Sequence, residues 1–315
     1  MVGKAQGLIF DSTEFSKQET FEVTRGSIPE QYSLENRLPL LYPQTGSTCI
    51  AMSFTLARTI MIATELNLSD PKKITSYLLS PYYIYYLSRD ENDYSCSAGL
   101  NPIHVANKIK EYGFAPMGSV EYPNYYPFTE KKLCPNSYNY FPPVFSEKAK
   151  VAKSFKIDEV FAIRDIDGIK YALSNNLPVI IAMQVPKSFV NLTNTLWKPF
   201  TTETKYATPG HAIVAIGYDD NLYGGAIQIV NSWGEQWADK GKAWITYSDM
   251  QYWLAGAFVM EKSTTYGSEN AKDVKQSFQL QKKSKLKNQS FKIDLMSKKI
   301  AFSNKKIVEV FSEKK

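Results

Sequence analysis

Apolar positions along this chain change their period part-way through. Over residues 48–66, Ile50, Phe54, Ala57, Met61 and Leu66 recur at helical spacing, and Leu56 and Ile60 widen the apolar face. The pattern predicts a long buried helix beginning beside Cys49. Ser80 followed by Pro81 predicts a second helix start, with serine as cap and proline in the first turn, leading into the aromatic run at 82–87. A third helix is expected over residues 102–112, stopped by Gly113. Residues 122–144 are dense in Pro, Tyr and Asn and read as an ordered surface loop crossing between two halves of the fold. After it, one short helix over residues 166–174 precedes apolar runs at 178–185, 211–218, 226–230, 242–247 and 257–260. Gly, Asp and Asn turns separate these runs, which predict strands. Helices first and strands second is the α+β pattern, with a cleft expected between the two lobes.

Composition supports a globular body: 315 residues, 43% apolar and 14% aromatic, suffice for a large core. No run approaches the ~18 consecutive apolar residues that span a bilayer, so no membrane span is expected. Residues 1–15 lack the apolar stretch of a secretory signal, which leaves a cytosolic chain and an already trimmed, exported one both open. Three cysteines argue against a disulfide-dense scaffold, and the odd count leaves a thiol free as a candidate nucleophile. From residue 263 to 315, thirteen lysines face five carboxylates, a net charge of +8 that leaves −2 on the rest. The lysines are interleaved with apolar residues, so a solvated surface is expected rather than a nucleic-acid site; an acidic partner or surface stays open. Alternation at Phe291, Ile293, Leu295, Ile300 and Phe302 predicts a small β meander there.

Three blocks carry candidate chemistry. Cys49 closes Gln44-Thr45-Gly46-Ser47-Thr48-Cys49, where a loop meets the first long helix. A thiol at a helix N-terminus feels the positive end of the dipole, and beside an imidazolium its pKa can fall from ~8.5 to ~3–4. His211, in Gly210-His211-Ala212, heads an apolar strand that can anchor the ring at a cleft; the other histidine, His104, reads as a surface or packing residue. Twenty residues on come Asn231-Ser232-Trp233-Gly234. An asparagine carbonyl can accept the imidazole N–H and fix its tautomer, and Trp233 can roof that bond. Two histidines and scattered cysteines offer no metal-ligand spacing, so neither metal nor cofactor is expected.

These blocks resemble the papain family of cysteine peptidases. Further landmarks match in order: Leu79-Ser80-Pro81, residues 99–113, Glu121-Tyr122-Pro123, Pro178-Val179 and Gly217-Tyr218. The resemblance covers roughly residues 38–262 and implies a two-lobed α+β fold with an active-site cleft between a helical lobe and an antiparallel, barrel-like β lobe. It implies hydrolysis of protein or peptide substrates through a Cys49 acyl-thioester, with His211 as general base and acid and Asn231 as orienter. Gln44 and the Cys49 N–H would form the oxyanion hole, and Trp233 would support. Expected organisation is an N-terminal extension or brace at 1–35, a peptidase domain at 36–262 (36–140 mainly helical, 141–262 β-rich) and a basic extension at 263–315.

The chain departs from the pattern in places. Gln44 stands five residues before Cys49 where the family has six, Ile50 replaces a tryptophan, and Ala238 replaces a glycine. Cys96 and Cys134 fall where relatives carry disulfide cysteines, each without its usual partner; pairing with each other and two free thiols both stay open. Residues 1–35 fit either a short plug across the cleft or, as favoured here, a strand bracing the second lobe. An amidase or transpeptidase on the same fold, and a binding module with an unproductive cleft, remain alternatives.

Overall fold

The structure is a computed structural model that describes residues 7–24, 26–90, 92–93, 97–117, 152, 155–205 and 209–261. The loop at 122–144, Cys96, Cys134 and the basic tail lie outside the described residues.

The chain opens with a short helix, α1 (Ser12–Ser16), capped by the Asp11 carboxylate on the amides of Thr13 and Glu14. A three-residue strand follows, β1 (Gln31–Ser33). The long helix α2 (Cys49–Glu65) buries fourteen of its seventeen residues, which is why the sequence there is apolar nearly all round. Next come α3 (Pro71–Thr75), α4 (Pro81–Ser88) and α5 (Pro102–Tyr112). All three carry proline in the first turn after an Asp, Ser or Asn cap, and α5 ends at Gly113, whose φ of 76° suits glycine.

The second half supplies β2 (Glu159–Ile163), α6 (Ile166–Ser174), β3 (Val179–Gln184), α7 (Lys187–Val190) and β4 (Leu196–Trp197). It continues with β5 (Gly210–Asp219), β6 (Ala226–Val230), β7 (Lys242–Thr246), α8 (Tyr247–Trp253) and β8 (Leu254–Glu261). An eight-stranded sheet runs β2-β8-β3-β5-β6-β7-β4, with β1 added to β5. Its pairs are antiparallel apart from β4 on β7. Strand β5 is the hub: it meets β1, β3 and β6, and α2 packs on it. That packing brings the start of α2 against the start of β5. The result is the expected two-lobed α+β fold, with a helical lobe on a mainly antiparallel β lobe.

Candidate active site

Cys49 is the first residue of α2 and has no solvent exposure. Its sulfur is met by the amide of Gly7 at 3.2 Å and by that of Ala212, the residue after His211. His211, second residue of β5 and paired with Met183 of β3, is also fully buried. The sheet therefore holds the imidazole while the helix terminus holds the thiol.

His211 Nε2 lies 2.8 Å from Asn231 Oδ1. That oxygen also accepts the Ser232 amide at 2.8 Å, which identifies it as the carbonyl end of the side chain. Nε2 must then carry the proton, so in the neutral ring Nδ1 holds the lone pair; among the described residues Nδ1 has no hydrogen-bond partner. Trp233 stacks on the imidazole at 4.5 Å between centroids and 26° between planes, and meets Phe189 and Trp237 edge-on. The indole sits over the ring as a lid held from behind.

Gln44 is fastened to the same segment. Its backbone amide donates to the Ser232 carbonyl at 2.6 Å, and its Oε1 accepts from Ser232 Oγ at 2.5 Å. Its Nε2 donates to the Gly46 carbonyl, 2.9 Å away.

A feature that the motifs do not announce covers the site. Residues 7–9 form a strap: the Leu100 amide donates to the Gly7 carbonyl at 2.8 Å, the Ile9 amide donates to the Leu100 carbonyl at 2.9 Å, and the pairing is parallel. Fit is tight enough to demand glycine at two places. A β-carbon on Gly7 would fall 2.1 Å from the Ser47 carbonyl oxygen, and one on Gly99 would fall 2.4 Å from the Gly7 carbonyl oxygen. The Leu8 side chain lies over Gly210.

Covering the site sets its electrostatics. Burial pushes the Cys49 thiol up to about 11, against the amides of Gly7, Ala212, Ile50 and Cys49 itself, all of which favour the thiolate. Burial likewise drives His211 down to about 4, although its bond to Asn231 favours the charged ring. In this covered form thiol and imidazole are both neutral near pH 7.

The structure thus brings Cys49, His211, Asn231, Gln44 and Trp233 into one cluster, while His104 lies on the exposed side of α5. Sequence reasoning passed over Gly7 and Ser232. The only local hint of the first was the apolar block Leu8-Ile9-Phe10 next to a glycine. Among the described residues, no three or more His, Cys, Asp or Glu side chains gather to hold a metal, and no helix is long and apolar enough to cross a membrane.

The fold is the two-lobed one of papain-like cysteine proteases. The papain family cysteine protease profile matches residues 88–262, which include His211 and Asn231 and begin after Cys49. The chain belongs to that family. Among solved structures it is similar to xylellain, a cysteine protease from Xylella fastidiosa, at 20% identity and TM-score 0.64, over 82% of this chain and 97% of xylellain. It is similar also to proCathepsin B S9 from Trypanosoma congolense, at 16% identity and TM-score 0.62, over 83% and 87% of the two chains. Digestive procathepsin L 3 of the Tenebrio molitor larval midgut matches at 13% identity and TM-score 0.57, over 82% and 76%. No curated protein sequence matches the chain.

Proposed function

We propose that the protein is a cysteine peptidase that hydrolyses peptide bonds through an acyl-thioester on Cys49. The observation that carries this reading is the 2.8 Å bond from His211 Nε2 to Asn231 Oδ1 beneath Trp233, beside a cysteine at a helix N-terminus. It leaves the Nδ1 lone pair available to take the thiol proton, the base's task in nucleophilic catalysis. The Cys49 thiolate attacks the scissile carbonyl, His211 returns the proton to the departing amine, and water hydrolyses the thioester. Gln44 Nε2 and the Cys49 amide are the oxyanion donors; loss of one such donor typically costs ~10²–10³ in rate.

In this reading the covered form is a resting one, because the strap is posed against cleavage. The Gly7 carbonyl is spent on the Leu100 amide, and what faces the sulfur is the Gly7 N–H, a donor that offers a thiolate no carbonyl carbon to attack. Activity therefore requires residues 7–9 to leave. An epoxysuccinyl probe read by mass spectrometry tests both points: slow modification of Cys49 in the intact chain, fast modification once the chain is nicked between residues 20 and 30, and none in Cys49→Ala. Nicked, folded protein whose Cys49 stays unmodified, or is modified equally fast in His211→Ala, sinks the proposal.

A further inference from the structure

At the far end of α2 from Cys49, an open groove of about 440 Å³ lies between that helix, the segment after α6, the end of β8 and the connector from α1 to β1. Its floor is apolar, formed by Phe21, Met61 and Leu177, and its rim carries the exposed carboxylates of Glu22, Glu65 and Glu261. No lysine or arginine lines it. Arg58 answers Glu65 at 2.8 Å, but Glu22 and Glu261 make no ion pair among the described residues. Glu261 also stands opposite Glu159 in the β2–β8 register. Two like charges therefore share one face of the sheet, a juxtaposition that costs stability until a cation joins it. Lys110 reaches Glu159 at 3.1 Å and leaves Glu261 uncompensated.

We propose that this groove is the docking site of the chain's own basic tail, through residues 272–287. Three features select that occupant. Strand β8 ends at Glu261, on the rim itself, so the tail starts at the groove. Residues 272–287 carry six lysines against one aspartate, a net charge of +5, and intersperse Val274, Phe278, Leu280 and Leu286, which match an apolar floor under a negative rim. The intervening stretch, 262–271, reaches roughly 35 Å when extended, enough to turn back on the groove, and a tether of that kind holds the segment at an effective concentration near millimolar. Docking sets lysine ammoniums against Glu22 and Glu261 and relieves the repulsion between Glu159 and Glu261. It also braces the connector, at Phe21 and Glu22, against α2 and β8. It involves no atom of the Cys49 cluster and stands whether or not that cluster hydrolyses peptides.

Carbodiimide coupling of the full chain reads the contact directly. The reagent activates a carboxylate, a lysine amine attacks it, and an amide forms as the carbodiimide departs as its urea. At low salt, mass spectrometry of the digest should find the lysines of 272–287 joined to Glu22 and Glu261 about tenfold more often than to Glu235 and Asp167, exposed carboxylates outside the groove. The yield should not change on tenfold dilution of the protein. It should fall about tenfold in ~0.5 M salt, where the screening length is roughly 4 Å. Glu22→Gln, an exposed substitution, should lower the yield at Glu261 severalfold by removing half of the free negative rim. Equal yields at all four carboxylates, or groove links that high salt and Glu22→Gln leave untouched, overturn the proposal. Links that vanish on dilution assign the groove to the tail of a second copy and overturn docking within one chain.

Discussion

At the scale of single residues, the cover over the site is decided by a missing side chain. A methyl on Gly7 cannot coexist with the Ser47 carbonyl 2.1 Å away, and neither the backbone of the 44–49 loop nor the start of α2 can yield without moving Cys49. Gly7→Ala is therefore expected to leave the fold intact and to raise the rate of Cys49 modification in the un-nicked chain severalfold or more. Thermal unfolding by circular dichroism should change by less than about 1 kcal/mol, since the residue lies in a peripheral segment. An unchanged labelling rate would mean that the strap is not what limits access. Cys49, His211 and Asn231 were legible because their chemistry comes with flanking residues of fixed type. Gly7 was not, because its partners, Ser47 and Leu100, are distant in sequence and nothing local marks a glycine as a steric requirement. Ser232 was printed inside a recognised block, yet its hydroxyl has meaning only beside Gln44, 188 positions away.

Among elements, the caps explain which boundaries could be read. Ser80-Pro81, Asn101-Pro102 and Gly113 carry their own stop and start signals, and α4 and α5 begin and end at them. Helix α8 was missed although Thr246 caps it through the Asp249 amide, because the preceding apolar alternation invited a longer strand. Strand β1 has only three residues and exists through its pairing with β5, which no local pattern encodes.

Two elements carry predictions. In α2, Arg58 has no exposure and makes its ion pair with Glu65 at 2.8 Å. Glu65→Ala strands a buried cation and should cost about 3 kcal/mol in urea unfolding, whereas Arg58→Met should be close to neutral. Helix α1 is latched by Arg164, whose guanidinium donates to the carbonyls of Phe15, Ser16 and Gln18 and to Thr20 Oγ1 and lies 5.2 Å from the Phe15 ring centroid. Phe10 and Phe15 fill the space over Gly256 alongside it. Arg164→Ala should loosen α1 and the strap together and speed Cys49 modification about tenfold, with Arg164→Lys intermediate because one ammonium nitrogen cannot serve both the carbonyls held by Nη2 and the Thr20 hydroxyl held by Nη1. Equal labelling rates in all three proteins would place the latch elsewhere.

For the whole molecule, the two neutral groups confine the covered form to a window of pH. His211 is held below its ordinary 6.5, so the unfolded chain binds the extra proton between pH 6.5 and about 4, and stability is lost as pH falls through that range. The shift corresponds to on the order of 3 kcal/mol. Cys49 is held above its ordinary 9.0, so its contribution is complete below pH 9 and is lost as pH rises toward 11. Stability of the intact chain should thus plateau between about pH 6.5 and 9, and Asn231→Ala, which removes the bond that favours the charged ring, should steepen the acid limb. A flat profile from pH 4 to 7 in chemical denaturation would contradict the burial of a neutral imidazole.

The strap also belongs to the chain that β1 sews onto β5 through Gln31, Tyr32 and Ser33. While residues 21–30 are continuous, the cover is tethered, and a short tether of that kind maintains a local concentration in the millimolar range whatever the dilution of the protein. A single cut in that stretch changes the order of the reaction. The cover becomes a separate peptide, its hold is measured against its own concentration, and the mixture uncovers on dilution without any further change in the rest of the fold. Under the peptidase reading proposed above, a cut there would make access to Cys49 depend on the concentration of the mixture, whereas in the uncut chain it does not.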